Sequence, residues 1–144
     1  MVDAETVRRR LRRLDEWVQR LRDLGKRPKD EFLEDPTAQA AAERLLQVSI
    51  QIVLDIGAHI LSDRGIVDWE EYREIPERLV RLGVLPKPLA ERLTRAAGQR
   101  NILVHLYLDV DPGRIHETLR HDLDAFSEFA THVLRLLEEP PSSE

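Results

Sequence analysis

The sequence contains no cysteine, only 6 glycines, and no pattern of alternating residues that would predict a β-strand. Without cysteine, neither disulfide bonds nor thiolate metal sites are available to the chain. A low glycine content with 42% hydrophobic and 34% charged residues is typical of a soluble helical protein and argues against a disordered or fibrous one. The fold therefore has to be held by a hydrophobic core, which 144 residues are enough to build as one domain.

The chain also lacks an apolar signal core at its start and shows no apolar run that we would expect to cross a bilayer. We therefore predict a cytoplasmic protein without membrane contact. Its net charge of -5 argues against a general nucleic-acid coat protein. The charge is uneven, however, because residues 1–30 hold 10 Lys and Arg against 6 Asp and Glu. A local basic surface thus remains compatible with the acidic total.

Hydrophobic spacing predicts helices along the whole chain. The first runs from about Val2 to Lys26, with a heptad-like apolar seam on one face and an arginine-rich opposite face. That face is read either as a solvated surface or as a rail for RNA phosphates, and the solvated surface is favoured. The second helix starts at Asp35-Pro36, an N-cap followed by a proline, and continues to about Ser62.

The middle of the second helix, from Leu45 to Leu61, is apolar on nearly every side. Such a helix must be covered on all sides, which predicts a second subunit as well as the chain's own bundle. Polar residues four apart interrupt the apolar surface, among them Asp55 and His59. They are either a satisfied pair one turn apart or candidate lining residues of a polar cleft, and the sequence leaves both interpretations open.

Three further helices complete the predicted fold. A short one spans about Trp69 to Leu82, interrupted or kinked at Pro76, and buries Tyr72, Leu79 and Leu82. The next begins near Pro88, and the last runs from Pro112 to Glu138 without interruption. The fold class is all-α, an up-and-down antiparallel bundle of four to five helices in a single domain over residues 1–138, followed by a disordered tail over 139–144.

One octet near the end of the fourth predicted helix, RNILVHLY, carries the side chains with chemical potential: Arg100, Asn101, His105 and Tyr107. At 100° per residue, Arg100 and Tyr107 are about 20° apart around a regular helix, whereas His105 is about 140° from Arg100. No flat helix face displays all three, so a shared site would need a second copy of the chain. The alternative is that the octet forms no functional site and contains a surface arginine, a core histidine and an aromatic cap.

At this octet the sequence closely resembles the HepT-like toxins of the HEPN superfamily, whose hallmark is R-x(4)-H-x-Y. The resemblance covers about residues 38–137 in helix order. It implies a HEPN-like homodimer and a metal-independent endoribonuclease that needs no cofactor. Arg100 would hold the scissile phosphate, Asn101 would orient the phosphate or the histidine, and His105 would be the general acid and base. RNA would be the substrate.

The resemblance also implies regulation. In these relatives an MntA-type nucleotidyltransferase antitoxin adenylylates the tyrosine of the motif, and Tyr107 stands at that position. The added phosphate charge and bulk would obstruct RNA. An alternative from another class is a catalytically silent HEPN dimer that acts as an interaction or nucleotide-binding module. A purely structural bundle is a third alternative.

Overall fold

A computed structural model describes residues 2–105 and 111–138, and for residues 99–105 it describes the backbone alone. The fold is all-α, as predicted, and no strand occurs within those ranges. Its helices are α1 (Ala4–Gly25), α2 (Lys29–Leu33), α3 (Pro36–Asp63), α4 (Ile75–Arg81), α5 (Lys87–His105), α6 (Pro112–His121) and α7 (Asp124–Glu138), with a 3₁₀ turn at Tyr72–Glu74. The described part thus has more and shorter helices than the four to five expected.

Helix α3 is the centre of the bundle and contacts all six of the other helices. Asp35 caps its first turn by accepting a hydrogen bond from the Ala38 backbone N–H at 3.1 Å, and Pro36 follows, as predicted. The apolar seam of α1 packs against α3 and is fully buried, which confirms the heptad-like pattern. The seam consists of Val7, Leu11, Leu14, Val18 and Leu21.

Contrary to the expectation from the sequence, α3 is long and apolar enough to cross a membrane, by length and composition alone. It has 28 residues and an apolar window with a mean hydropathy of 1.5, but half of that window is buried inside the fold. The core helix of a soluble protein meets the same criteria. The other half includes a stripe of partly exposed residues, which we call the α3 stripe. It consists of Val48, Gln51, Ile52, Asp55 and His59.

Two of the helix predictions need correction. The predicted helix is interrupted rather than kinked near Pro76: α4 begins only at Ile75, and Pro76 lies in its first turn, where the missing N–H of a proline costs no helical hydrogen bond. Upstream of α4, the 3₁₀ turn is capped by Glu74, whose carboxylate accepts from the backbone N–H groups of Glu70 and Glu71. Tyr72 in that turn is 41% exposed, so its predicted burial is wrong, whereas Leu79 is buried as expected.

The last predicted helix is in fact two, because α6 ends at His121 and α7 begins at Asp124. Leu123 in the break is buried, and Phe126 and Phe129 of α7 enter the core beside it. A continuous helix would keep one axis, whereas the break gives each segment its own. The segment 139–144, for which a disordered tail was predicted, lies outside the described residues.

Candidate functional site

The part of the motif that the structure describes, Arg100 to His105, lies on α5. The backbone is helical through Arg100, Asn101 and His105, as predicted, and His105 is the last described residue of this helix. Upstream, the buried residues Leu89 and Leu93 hold the helix against the core. Tyr107 lies outside the described residues, so its role remains a prediction, as do the roles of the three residues on α5.

An arginine clamp fixes α5 to α7. The Arg92 guanidinium donates to both carboxylate oxygens of Asp124, at 2.6 and 3.2 Å, and lies 3.8 Å from a carboxylate oxygen of Glu128. Such a forked pair fixes direction as well as distance. The hydrogen bond from Arg92 lowers the pKa of Asp124 below its ordinary value of 3.8, with the nearby positive charge acting in the same sense. The clamp therefore orients the helix that carries the motif.

The Arg92–Asp124 ion pair should make the free energy of unfolding depend on pH. Because the folded-state pKa of Asp124 is lowered, the ion pair contributes fully above the unfolded pKa and is lost as pH falls through the folded value. We expect Asp124→Asn to be less stable than the wild type at pH 7, with a difference that shrinks below pH 3.8. Urea unfolding at several pH values measures this. Asp15→Asn on α1 is the control, and an equal effect there would contradict the prediction.

Asp55 and His59 each form a hydrogen bond with a different residue, rather than with each other. The Gln51 amide donates to Asp55 at 2.7 Å, and the Asp3 backbone N–H donates to Nε2 of His59 at 3.3 Å. The contact at His59 ties the start of α1 to α3. The side-chain oxygen of Gln51 is buried and has no hydrogen-bond partner among the described residues. Among the described residues, the hydrogen bonds of this polar end of the α3 stripe are thus incompletely satisfied.

The other histidines are packing or surface residues, in line with expectation. His116 is buried, its Nε2 lies 2.8 Å from the Arg27 carbonyl oxygen, and its ring is 5.3 Å from that of Phe32. Because a carbonyl only accepts, Nε2 carries the proton. His121 is exposed and His132 is partly exposed. Within the described ranges, no group of three His, Cys, Asp or Glu residues is placed to hold a metal ion.

The arginine-rich face of α1 is interspersed with acids. Arg9 lies 3.9 Å from Glu5, and Arg13 lies 3.8 Å from Glu16. Arg13 also lies over the Trp17 ring at 5.9 Å. Exposed i,i+3 and i,i+4 pairs of this kind are typical of a solvated helix face. The structure therefore favours the solvated surface over a phosphate rail.

Sequence reasoning missed the Arg92 clamp. In the sequence Arg92 is one of several basic residues upstream of the motif, and its partner Asp124 is 32 positions away on another helix. Local spacing gives no signal for such a pair. An acidic residue at the start of α7 is equally well explained as a favourable charge at a helix N-terminus.

Comparison with known proteins identifies the family to which the chain belongs. The model of the family "Ribonuclease HepT-like" matches residues 14–133. The chain is 27% identical over 135 residues to a tRNA nuclease HepT from Aphanizomenon flos-aquae, covering 92% of this chain and 90% of the relative. It is 32% identical over 94 residues to a putative RNase from Archaeoglobus fulgidus, covering 65% of this chain and 70% of the relative.

Among solved structures, the fold is similar to the tri-AMPylated HEPN toxin of Shewanella oneidensis, determined in complex with its MNT antitoxin. The TM-score is 0.84 at 21% identity, covering 94% of this chain and 99% of that one. At this identity the likeness shows the fold, and the family follows from the sequence match over most of the chain. The chain belongs to the HepT-like ribonuclease family.

Proposed function

We propose that the protein is a metal-independent endoribonuclease toxin. The observation that carries the proposal is the complete R-x(4)-H-x-Y motif, from Arg100 to Tyr107, in the sequence of a chain that belongs to a ribonuclease family; its arginine and histidine lie on α5. The names of the relatives, a tRNA nuclease and a putative RNase, support the same reaction class. A cytoplasmic location belongs to this proposal, since RNA is the substrate.

The protein does not have to provide a nucleophile for this reaction, because RNA supplies its own. The ribose 2'-hydroxyl attacks the adjacent phosphorus, the bond from phosphorus to the 5'-oxygen breaks, and a 2',3'-cyclic phosphate and a 5'-hydroxyl result. His105 takes the proton from the 2'-hydroxyl or gives one to the leaving oxygen, which an imidazole with a pKa of about 6.5 does near neutral pH. Arg100 neutralises the phosphorane, and Asn101 orients the phosphate or the histidine.

A homodimer would complete the site. Arg100 and His105 are about 140° apart around a regular helix, so one copy presents at most part of a cleft. The α3 stripe, with half-buried Val48 and Ile52 and the unsatisfied Gln51 oxygen, offers an apolar surface with polar groups for a second copy. We propose a two-fold dimer that brings two motifs to one cleft, with Asp55 and His59 as candidate lining residues.

The direct test is RNA cleavage by the purified protein in the presence of EDTA. We expect cleavage to continue at an undiminished rate, because no step uses a metal ion, and we expect products that end in a 2',3'-cyclic phosphate. Mass spectrometry of the products identifies these ends. Activity that disappears in EDTA and returns with a divalent cation would contradict metal independence.

Tyr107 is the proposed site of control by an MntA-type nucleotidyltransferase antitoxin. The similar solved structure of an AMPylated HEPN toxin with its MNT antitoxin supports this. We expect co-expression with the nucleotidyltransferase to add one or more AMP masses to the peptide that contains Tyr107 and to abolish RNA cleavage. Tyr107→Phe should escape both effects, and Tyr72→Phe is the matched control. A Tyr107→Phe protein that is still modified and silenced would place the control elsewhere.

A further inference from the structure

A cleft of about 570 Å³ lies between α4 and α5, on the helix that carries the motif. Two aliphatic side chains, Val80 and Ala90, are among its lining residues, and most of the others are polar or charged. The charged lining residues are Glu77, Arg81, Lys87, Glu91 and Arg95. This cleft is made entirely of residues outside the motif and has no part in the chemistry described above.

Two of the three cations that line the cleft are available to a ligand. Lys87 and Arg95 are exposed and have no ion pair with any residue that the structure describes, whereas Arg81 lies 3.2 Å from Glu77. The Thr94 hydroxyl is already used, since it donates to the Ala90 carbonyl at 2.8 Å. Along α5 the only acid is Glu91, against four Lys and Arg, in a chain whose net charge is -5. The cleft is thus on a locally basic helix of an acidic protein.

The cleft and the motif share one continuous helix. Arg95 precedes His105 by ten residues, or about 15 Å along the axis, and Lys87 precedes it by about 27 Å. Between them lies Gly98, where an added Cβ would meet no atom of the described residues within 4 Å. Among those residues, none covers this turn of α5. A phosphate chain bound at Lys87 and Arg95 could therefore follow α5 past this turn, in the direction of the motif.

We propose that the α4–α5 cleft binds the RNA strand next to the cleaved bond, with Lys87 and Arg95 contacting the phosphates of flanking nucleotides. This inference rests on the proposed ribonuclease function and extends it to the substrate: a single strand several nucleotides long. Phosphate contacts of this kind supply affinity and position without reading the sequence. The cleft would therefore favour longer RNA over short RNA, independently of the catalytic step.

The test compares a cleft variant with a control that removes the same charge. Lys87→Gln/Arg95→Gln is the cleft variant, and Arg8→Gln/Arg12→Gln on the exposed face of α1 is the control. We expect the cleft variant to lower kcat/KM for a 20-nucleotide RNA by about fivefold or more and to leave cleavage of a tetranucleotide unchanged. Binding of a 2'-O-methyl RNA, which lacks the nucleophile, should lose salt dependence by a slope of about 0.7 per removed contact.

The outcomes separate this inference from the proposed function. Equal losses in the cleft variant and the α1 control, or equal losses on long and short RNA, would overturn the cleft as an RNA site. Unchanged RNA binding with weakened binding of the antitoxin would overturn it too and assign the cleft to a protein partner. A wild type that binds the 2'-O-methyl RNA through the cleft but cleaves no RNA would refute the ribonuclease function while supporting the cleft.

Discussion

Replacing His105 with alanine is expected to lower RNA cleavage by about 10²- to 10⁴-fold, the usual contribution of a positioned proton-transfer group. The loss should appear in kcat with little change in RNA binding, because alanine removes the proton carrier and leaves the arginines in place. Single-turnover cleavage of an end-labelled RNA separates the two quantities. His121→Ala, an exposed histidine on α6, is the matched control and should keep full activity.

Substitutions of Arg100 test whether its side chain binds the phosphate directly or contributes only its positive charge. Arg100→Ala should cost as much as the His105 change, whereas Arg100→Lys keeps the charge but loses the forked geometry, so partial activity is expected. Full activity in both His105→Ala and Arg100→Ala would refute the motif as the site. It would favour the alternative of a silent HEPN dimer.

Two glycine-to-alanine changes are expected to shift stability in opposite directions. Gly57 is buried in α3, and a Cβ there would lie 2.5 Å from Cγ2 of Ile75 and 3.2 Å from Cδ1 of Leu79. Gly98 is in α5, where a Cβ would meet no described atom within 4 Å. Overpacking should destabilise Gly57→Ala by about 1–3 kcal/mol. The better helix propensity of alanine should stabilise Gly98→Ala by up to about 1 kcal/mol.

Urea unfolding at a fixed protein concentration measures both changes, since the stability of the proposed dimer would depend on concentration. The comparison is sharp because the chemical change is the same and both sites are helical. A stabilised Gly57→Ala would mean that α4 moves away from α3 at little cost. The structure does not favour that, because the first obstacle, Ile75, is itself buried at the start of α4.

Much of the fold follows from the sequence wherever the signal is local. The α1 seam is a repeating pattern, and Asp35-Pro36 marks a helix start by side-chain chemistry that acts within three residues. Predictions fail where tertiary packing decides. The short α2, which buries Phe32, was missed, and a continuous last helix was predicted because Ile115, Leu119 and Leu123 keep helical spacing up to the break at Leu123.

The same difference between local patterns and tertiary packing applies to the residues of the candidate site. Arg100, Asn101, His105 and Tyr107 could be proposed from the sequence because the motif is short and contiguous, and the structure adds that the first three lie on α5. The Arg92–Asp124 pair and the α4–α5 cleft were not predicted, because each depends on how separate helices meet. Asp55 and His59 were selected by periodicity, which places them on one side of α3 but does not identify their hydrogen-bonding partners.

The uninterrupted helix α5 also bears on where an RNA would be cut. A rigid rod of 19 residues keeps a constant separation between the α4–α5 cleft and His105. RNA held in the cleft would then be cut at a set number of nucleotides from the bound segment, whatever its sequence. In that case the length of α5 would set the distance between the bound segment and the cut. The cleavage pattern of an unstructured RNA would then show a constant spacing.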